Sequence, residues 1–142
     1  MDETHLWGVQ QGGLKQAWGI AGPFLERLGD HTDLTLDEIK HGLEDQRFQM
    51  WITWDDKIRG VCIPEIFETT EGLICCFVVA AGDRFRSLQH LGVIERWARS
   101  KGCFACEIKG RRGWGRILDG YENRGRDGPK QIWRKVLKNG KQ

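Results

Sequence analysis

Cys103 and Cys106 have the CxxC spacing shared by many zinc ligands and redox-active thiol pairs. The apolar run from Cys103 to Ile108 predicts a strand, however, and positions i and i+3 of a strand point to opposite faces of a sheet. A redox pair would also need a helix start, which Phe104 and Ala105 do not indicate. We therefore exclude zinc binding and thioredoxin-like chemistry here, and the sequence predicts no metal site.

The remaining thiols and the imidazoles offer no clearer chemistry. Five cysteines are an odd number, and all of them fall in predicted strands, where free cysteine acts as a small apolar side chain. We expect reduced core thiols at Cys62, Cys75, Cys76, Cys103 and Cys106. The four histidines show neither ligand spacing nor a nucleophile partner; they are His5, His31, His41 and His90.

Two glutamates in predicted strands, Glu65 and Glu107, are candidates for a general base. A carboxylate inside a sheet cleft can have its pKa raised towards neutrality, which suits it to accept a proton. The alternative is that each is an outward-facing strand glutamate without a catalytic role. We assign no catalytic residue from the sequence.

A strand-helix-strand unit organises the chain around these residues. The nine-residue apolar run Leu73 to Ala81 predicts a central strand that is buried on both faces. A helix with one apolar side follows, with Ser87 as its N-cap and Gly102 at its end. The run from Cys103 to Ile108 returns as a second strand, so the unit is a βαβ crossover with parallel strands.

The N-terminal part predicts a short strand and two helices. His5 to Val9 is the strand, and Gln11 to Leu28 is the first helix, which the Gly-Pro pair at 22 and 23 should kink or divide. Thr35, followed three residues later by Glu38, predicts a capping box at the start of the second helix.

Strands and turns account for the rest of the chain. Alternation from Phe48 to Trp54 predicts a strand, a turn follows at 55–57, and Arg59 to Thr69 is a second strand with a bulge or kink at Pro64. Beyond the crossover we predict a short helix (114–118), a polar, glycine-rich loop (119–129) and a last strand (131–137).

Size and composition favour one compact domain over residues 1–142. With 39% hydrophobic residues and seven tryptophans, the chain can bury a proper core. It has no apolar run of the roughly 20 residues that cross a bilayer, and its acidic start does not read as a secretory signal. The sequence therefore predicts a soluble, intracellular α/β protein with a mixed sheet and no membrane partner.

The element order β-α-α-β-β-β-α-β-α-β resembles the GNAT acyl-CoA N-acyltransferase fold. The run IERWARSKGCFACEIKGRRGWGRIL is similar to a segment of small GNAT-like proteins of tailed bacteriophages, with the pattern WAR.KGC...EI.GR.GW.R.L. The matching positions are Trp97, Ala98, Arg99, Lys101, Gly102, Cys103, Glu107, Ile108, Gly110, Arg111, Gly113, Trp114, Arg116 and Leu118.

This resemblance implies acetyl-CoA binding at the end of the strand Leu73 to Ala81, with the pyrophosphate at the start of the next helix, where orphan N–H groups and the helix dipole form an anion site. The family's glycine-containing turn is missing, and Asp83 adds an unfavourable charge. Arg84 and Arg86 either contact the phosphates or are solvated surface residues. The predicted cofactor residues are Val79, Ala81, Gly82, Arg84, Arg86 and Ser87.

The resemblance also implies a tyrosine that protonates the departing thiolate. Asp119 stands at that place here, and Tyr121 lies two residues further on. Tyr121 either substitutes for the missing acid or is a packing residue with a solvated hydroxyl.

Charge is distributed unevenly along the chain. From Lys109 to the end there are eleven Lys or Arg against three Asp or Glu, a net +8, and the preceding part carries −6. The basic segment suits DNA, a phosphate-rich cofactor or an acidic protein surface, although it contains no recognised nucleic-acid motif. Opposite charge at the two ends also favours contacts between copies or docking on a larger assembly.

Two functions follow from these predictions. In the first, the chain is a phage GNAT-fold protein with a degenerate acyl-CoA site, a virion-associated structural or accessory component that binds other phage proteins or copies of itself. In the second, it is an active N-acetyltransferase that modifies an amine on a host protein or a small molecule. The altered phosphate turn and the missing tyrosine favour the first, and the resemblance to phage proteins implies the host cytoplasm, with the virion as a further possible location.

Overall fold

The computed structural model describes residues 4–29, 33–82, 90–110, 120–128 and 130–137. Within these residues it contains seven strands in one sheet and three α-helices, so the predicted mixed α/β fold is confirmed. In chain order they are β1 (His5–Gly8), α1 (Leu14–Leu28), α2 (Leu36–Glu44), β2 (Trp51–Trp54), β3 (Ile58–Thr69), β4 (Gly72–Gly82), α3 (Leu91–Ser100), β5 (Cys103–Gly110), β6 (Glu122–Asp127) and β7 (Lys130–Val136).

The strand order in the sheet is β1-β2-β3-β4-β5-β7-β6. The β4–β5 pair is parallel, whereas β1–β2, β2–β3, β5–β7 and β6–β7 are antiparallel. β4 is therefore the central strand, and the predicted βαβ crossover is confirmed.

The chain divides into two compact units, and the strands β3 and β4 are shared between them. The N-terminal unit comprises residues 1–65 and 78–89, and the C-terminal unit comprises residues 66–77 and 90–142. Among the described residues, no helix is both long and apolar enough to span a membrane.

The capping box of α2 forms as the sequence predicts. The Thr35 hydroxyl accepts a hydrogen bond from the Glu38 N–H (3.1 Å), and the Glu38 carboxylate accepts one from the Thr35 N–H (2.8 Å). These reciprocal bonds satisfy two backbone donors at the helix start, and they lower the pKa of Glu38.

The expected division of α1 at Gly22 and Pro23 is wrong, because the helix runs without a break from Leu14 to Leu28. Proline costs a helix one backbone hydrogen bond. Ala21 and Leu25, on either side of it, are completely buried in the core, and this packing outweighs the lost bond.

β3 continues through Pro64 without interruption, and the bulge or kink expected there stays a prediction. The ladder with β2 ends where Trp51 pairs with Cys62, so the missing N–H of Pro64 falls beyond that ladder, and its carbonyl accepts from the Gln49 N–H (3.1 Å). The strand predicted from Phe48 begins only at Trp51, although Phe48 forms an isolated bridge with Glu65.

Two details differ in the C-terminal half, and a third is untested. α3 begins at Leu91 with His90 at its N-cap position, later than a cap at Ser87 would place it. The predicted loop 119–129 contains the strand β6, whose six residues are all exposed. Because neither face of this edge strand is buried, it shows no apolar alternation. The predicted helix 114–118 lies outside the described residues.

Candidate functional site

The end of β4 carries the first three predicted cofactor residues. Val79 and Ala81 are 0% and 6% exposed and belong to the hydrophobic core of the N-terminal unit. Their side chains are therefore committed to packing, and only their backbone groups are suited to contact a ligand. The ladder of β4 with β5 has its last pair at Phe77 and Ile108, so both residues lie beyond it.

Gly82 ends β4 in a conformation that favours glycine, with φ at 105°. A Cβ at this position would lie 2.3 Å from the carbonyl oxygen of Arg59 and 2.8 Å from the Cα of Gly60. These neighbours are backbone atoms of β3, which cannot move aside easily. Gly82 is thus required by the close approach of two strands, and its missing side chain leaves no open cradle for a phosphate.

Arg84, Arg86 and Ser87 follow β4 in the sequence and lie outside the described residues. Their assignment to the cofactor stays a prediction. Asp119, which stands at the place of the family's acidic tyrosine, also lies outside them.

Tyr121 does not have the solvated hydroxyl that the sequence suggested as one alternative. It is 7% exposed, and its hydroxyl donates a hydrogen bond to the Glu95 carboxylate on α3 (2.8 Å). Burial raises the pKa of Tyr121 well above its usual range, and the neighbouring Cys106 and Glu95 add to this rise. The tyrosine therefore keeps its proton and directs it at a carboxylate.

Glu95 completes a buried network that the sequence analysis missed. Glu95 is 9% exposed, and its carboxylate also accepts a hydrogen bond from the Lys135 ammonium on β7 (3.0 Å). The available signal was its place in the apolar stripe of α3, four residues after Leu91 and beside Ile94. A charged residue in such a stripe requires a buried partner.

Glu107 faces Arg134 across the β5–β7 ladder, where the two residues are in register. The Arg134 Nε–H donates to the Glu107 carboxylate at 2.7 Å, and a second guanidinium nitrogen contacts the same oxygen. Arg134 also lies 3.6 Å from the Glu71 carboxylate. This cross-strand pair occupies Glu107 in a structural contact, which disfavours it as a general base.

Glu65 is the other glutamate that the sequence predicts as a candidate base. It is half-buried on β3, and the Arg47 guanidinium stands 4.0 Å from its carboxylate. Burial raises the pKa of Glu65, and Arg47 opposes only part of this effect. A raised pKa brings a carboxyl closer to the neutral range in which a general base works.

The cysteines lie in strands, as predicted: Cys62 in β3, Cys75 and Cys76 in β4, and Cys103 and Cys106 in β5. Three of them are buried and two are half-buried. Burial raises the pKa of the Cys103 thiol, with Cys106 as a further contributor, so the thiol form is favoured.

The chain matches no protein-family profile and no curated protein by sequence. Solved structures do match it. PaiA N-acetyltransferase from Thermoplasma acidophilum, in complex with coenzyme A, is 12% identical, with a TM-score of 0.62 over 96% of this chain and 100% of its own. FeeM, an N-acyl amino acid synthase from uncultured soil microbes, is 12% identical, with a TM-score of 0.67 over 96% and 92%.

A GNAT-family acetyltransferase from Staphylococcus aureus Mu50 is 8% identical, with a TM-score of 0.63 over 96% of this chain and 100% of its own. The chain has the GNAT fold. At these identities the likeness establishes the fold alone.

Proposed function

We propose that this protein binds an acyl-CoA at the end of β4, as a member of the acyltransferase-like proteins that share the GNAT fold. The observation that carries the proposal is the likeness to GNAT structures over 96% of the chain, one of them determined with coenzyme A. The parallel β4–α3–β5 unit at the centre of the sheet is the second support.

The residues at this place fit a CoA in part. The backbone of Val79 and Ala81 lies beyond the last β5 pair of β4, where amide groups of the pantetheine arm can form hydrogen bonds. Arg84 and Arg86 supply guanidinium groups for the pyrophosphate, and Ser87 supplies a hydroxyl and an N–H. Asp83 weakens this anion site through its negative charge.

When bound, an acyl-CoA supplies an activated acyl group, and an acceptor amine must lose a proton to receive it. Glu65 is the described carboxylate best suited to take that proton, since burial raises its pKa. We propose Glu65 as the general base of an active enzyme, with an amine as the class of acceptor.

Isothermal titration with acetyl-CoA tests the binding proposal. We expect micromolar affinity in the wild-type protein and a loss of at least about tenfold for each of Arg84→Ala and Arg86→Ala, because a hydrogen bond to a charged group contributes about 1.5 kcal/mol or more. The matched control is Arg27→Ala with Lys40→Ala, which removes two exposed positive charges from α1 and α2. The absence of heat at millimolar acetyl-CoA would overturn the proposal.

A second candidate is a virion-associated structural or accessory protein of a tailed phage, with a degenerate acyl-CoA site and no efficient acyl transfer. Two observations favour the absence of efficient acyl transfer: the Tyr121 hydroxyl is engaged with Glu95, and Glu107 is paired with Arg134. Neither group is therefore ready to move a proton to or from a substrate.

Mass spectrometry of purified phage particles, together with an acetyl-transfer assay on polyamine and lysine-peptide acceptors, separates the two candidates. Detection of the chain in the phage particle, together with no acetyl transfer in the assay, would support the accessory role. Transfer that is lost in Glu65→Gln, with the chain absent from the particle, would support the enzyme.

A further inference from the structure

The two structural units carry opposite charge. The C-terminal unit contains fourteen Lys or Arg against seven Asp or Glu, a net +7, whereas the N-terminal unit contains eight against thirteen, a net −5. The uneven distribution of charge along the sequence is thus also a difference in net charge between the two compact units. A net charge of this size attracts polyanions to the C-terminal unit.

Three of the six acidic groups described in the C-terminal unit are bonded to a basic side chain. Glu95 is bonded to Lys135, and Glu107 is bonded to Arg134. Asp127 on β6 accepts from the Lys109 ammonium (2.7 Å), and this bond lowers the pKa of Asp127. The charges of these pairs cancel each other, so the net positive charge of the C-terminal unit comes from its remaining basic residues.

Arg124 and Arg126 on the edge strand β6 are two such residues. Both are exposed, and within the described part of the chain neither forms an ion pair. Their strand is held in place by side chains next to them, since the Asn123 amide donates to Gln131 on β7 (2.9 Å) and accepts from the Gly125 N–H (2.8 Å). Two arginines are therefore presented to solvent from an ordered strand.

The shape of β6 argues against strand addition by another protein. Its register with β7 shifts between Asn123 and Arg126, and Gly125 has a φ of 119°. A bulge of this kind interrupts the edge and blocks continuous backbone pairing with a partner strand.

The composition of β6 argues for a nucleic acid over an acidic protein. None of its six residues is apolar, whereas protein interfaces depend on buried aromatic or apolar anchors. Contacts to phosphate need only exposed positive charge and hydrogen-bond donors, and contacts to phosphate and sugar together make up about half to two-thirds of all protein–DNA hydrogen bonds. A guanidinium presents a fork of donors that matches phosphate geometry.

We propose that the β6–β7 hairpin binds the phosphodiester backbone of a nucleic acid without sequence specificity, through Arg124 and Arg126. The candidate acyl-CoA residues fall within the residue range 78–89 of the N-terminal unit, whereas Arg124 and Arg126 fall within the C-terminal unit. The proposal does not depend on acyl-CoA binding.

Fluorescence anisotropy with a labelled 20-base-pair duplex, and with a single strand of the same length, tests this proposal between 50 and 200 mM salt. The Arg124→Ala, Arg126→Ala double variant should bind more weakly, and the slope of log K against log salt should become shallower by about 1.8 for the duplex and about 1.4 for the single strand. The matched control, Arg27→Ala with Lys40→Ala, lowers the net charge equally and should leave the slope unchanged.

The same measurement distinguishes a double-stranded from a single-stranded nucleic acid as the ligand. A larger loss for one nucleic acid than for the other identifies whether the natural ligand is a duplex or a single strand. The proposal is overturned if the wild-type protein fails to bind at 50 mM salt, or if the control variant loses as much affinity as the double variant. Tighter binding to polyglutamate than to the duplex would also overturn it, in favour of an acidic protein partner.

Discussion

At the scale of single residues, the contacts of a titratable group decide what it can do. The Tyr121 hydroxyl donates to Glu95, and the same carboxylate accepts from Lys135. All three groups are satisfied by one another in a largely buried place, where an unpaired member would be costly. The network therefore stabilises the packing of α3 against the sheet of the C-terminal unit.

Replacing Tyr121 with phenylalanine removes one hydrogen bond to a buried charge. We expect the free energy of unfolding to fall by about 1.5–3 kcal/mol, measured by urea denaturation, with the acetyl-CoA affinity unchanged. A double-mutant cycle with Glu95→Gln should give a clear coupling energy between the two side chains. Additive effects of the two substitutions would contradict the network.

The pH dependence of stability tests the protonation of Glu65. Burial raises the pKa of Glu65 in the folded protein above its ordinary value of 4.5, so the folded state holds the proton more tightly than the unfolded state. Its contribution to stability is fully present below pH 4.5 and is lost as the pH rises through the folded-state pKa.

The Glu65→Gln variant should therefore gain stability relative to the wild-type protein as the pH rises from 4 towards 7, as measured by urea denaturation at each pH. In the Arg47→Gln variant, the free energy of unfolding should fall more steeply with rising pH than in the wild-type protein. The reason is that Arg47 opposes the rise of the Glu65 pKa. A pH-independent difference between Glu65→Gln and wild type would show that the carboxyl is not perturbed.

At the scale of secondary-structure elements, local signals predicted local features well. The capping box at Thr35, the apolar run of β4 and the return strand β5 were all found from the sequence, because each is marked by residues within a few positions of one another. The continuity of α1 at Pro23 and of β3 at Pro64 depends on information of the opposite kind. The core packing around Pro23 and the end of the β2 ladder near Pro64 are set by distant residues.

The sequence predicts a loop at β6 because all six residues of this edge strand are exposed and show no apolar alternation.

The contacts of the candidate site could not be predicted from the sequence either. Glu107 and Tyr121 were found as titratable residues, but their partners Arg134 and Glu95 are 27 and 26 positions away in the sequence. Sequence spacing cannot reveal such contacts, although the place of Glu95 in an apolar stripe indicated a buried partner.

The junction of β3 with the end of β4 gives an element-scale prediction. Gly82→Ala should lower the free energy of unfolding by about 2 kcal/mol or more, since the new Cβ meets the Arg59 carbonyl and φ is positive. The control is Gly19→Ala in α1, where nothing lies within 4 Å and alanine should stabilise the helix by about 0.5–1 kcal/mol. Thermal denaturation of both variants measures the difference, and equal stability would refute the close approach.

At the scale of the whole molecule, the two units divide the proposed functions. The candidate acyl-CoA residues belong to the acidic N-terminal unit, and the arginines of β6 belong to the basic C-terminal unit. Coenzyme A is itself a polyanion, so binding alone does not tell which unit receives it. The position of the bound cofactor is therefore the central question for this fold.

Titration of the ¹⁵N-labelled protein with acetyl-CoA, followed by amide NMR, answers this question most directly. The acyl-CoA proposal predicts that the amide signals of Val79, Ala81 and Gly82 shift with a single micromolar affinity, while those of β6 change little. Shifts confined to β6 and its neighbours on β7 would contradict it, because they would show that acetyl-CoA binds only as a polyanion on the basic hairpin.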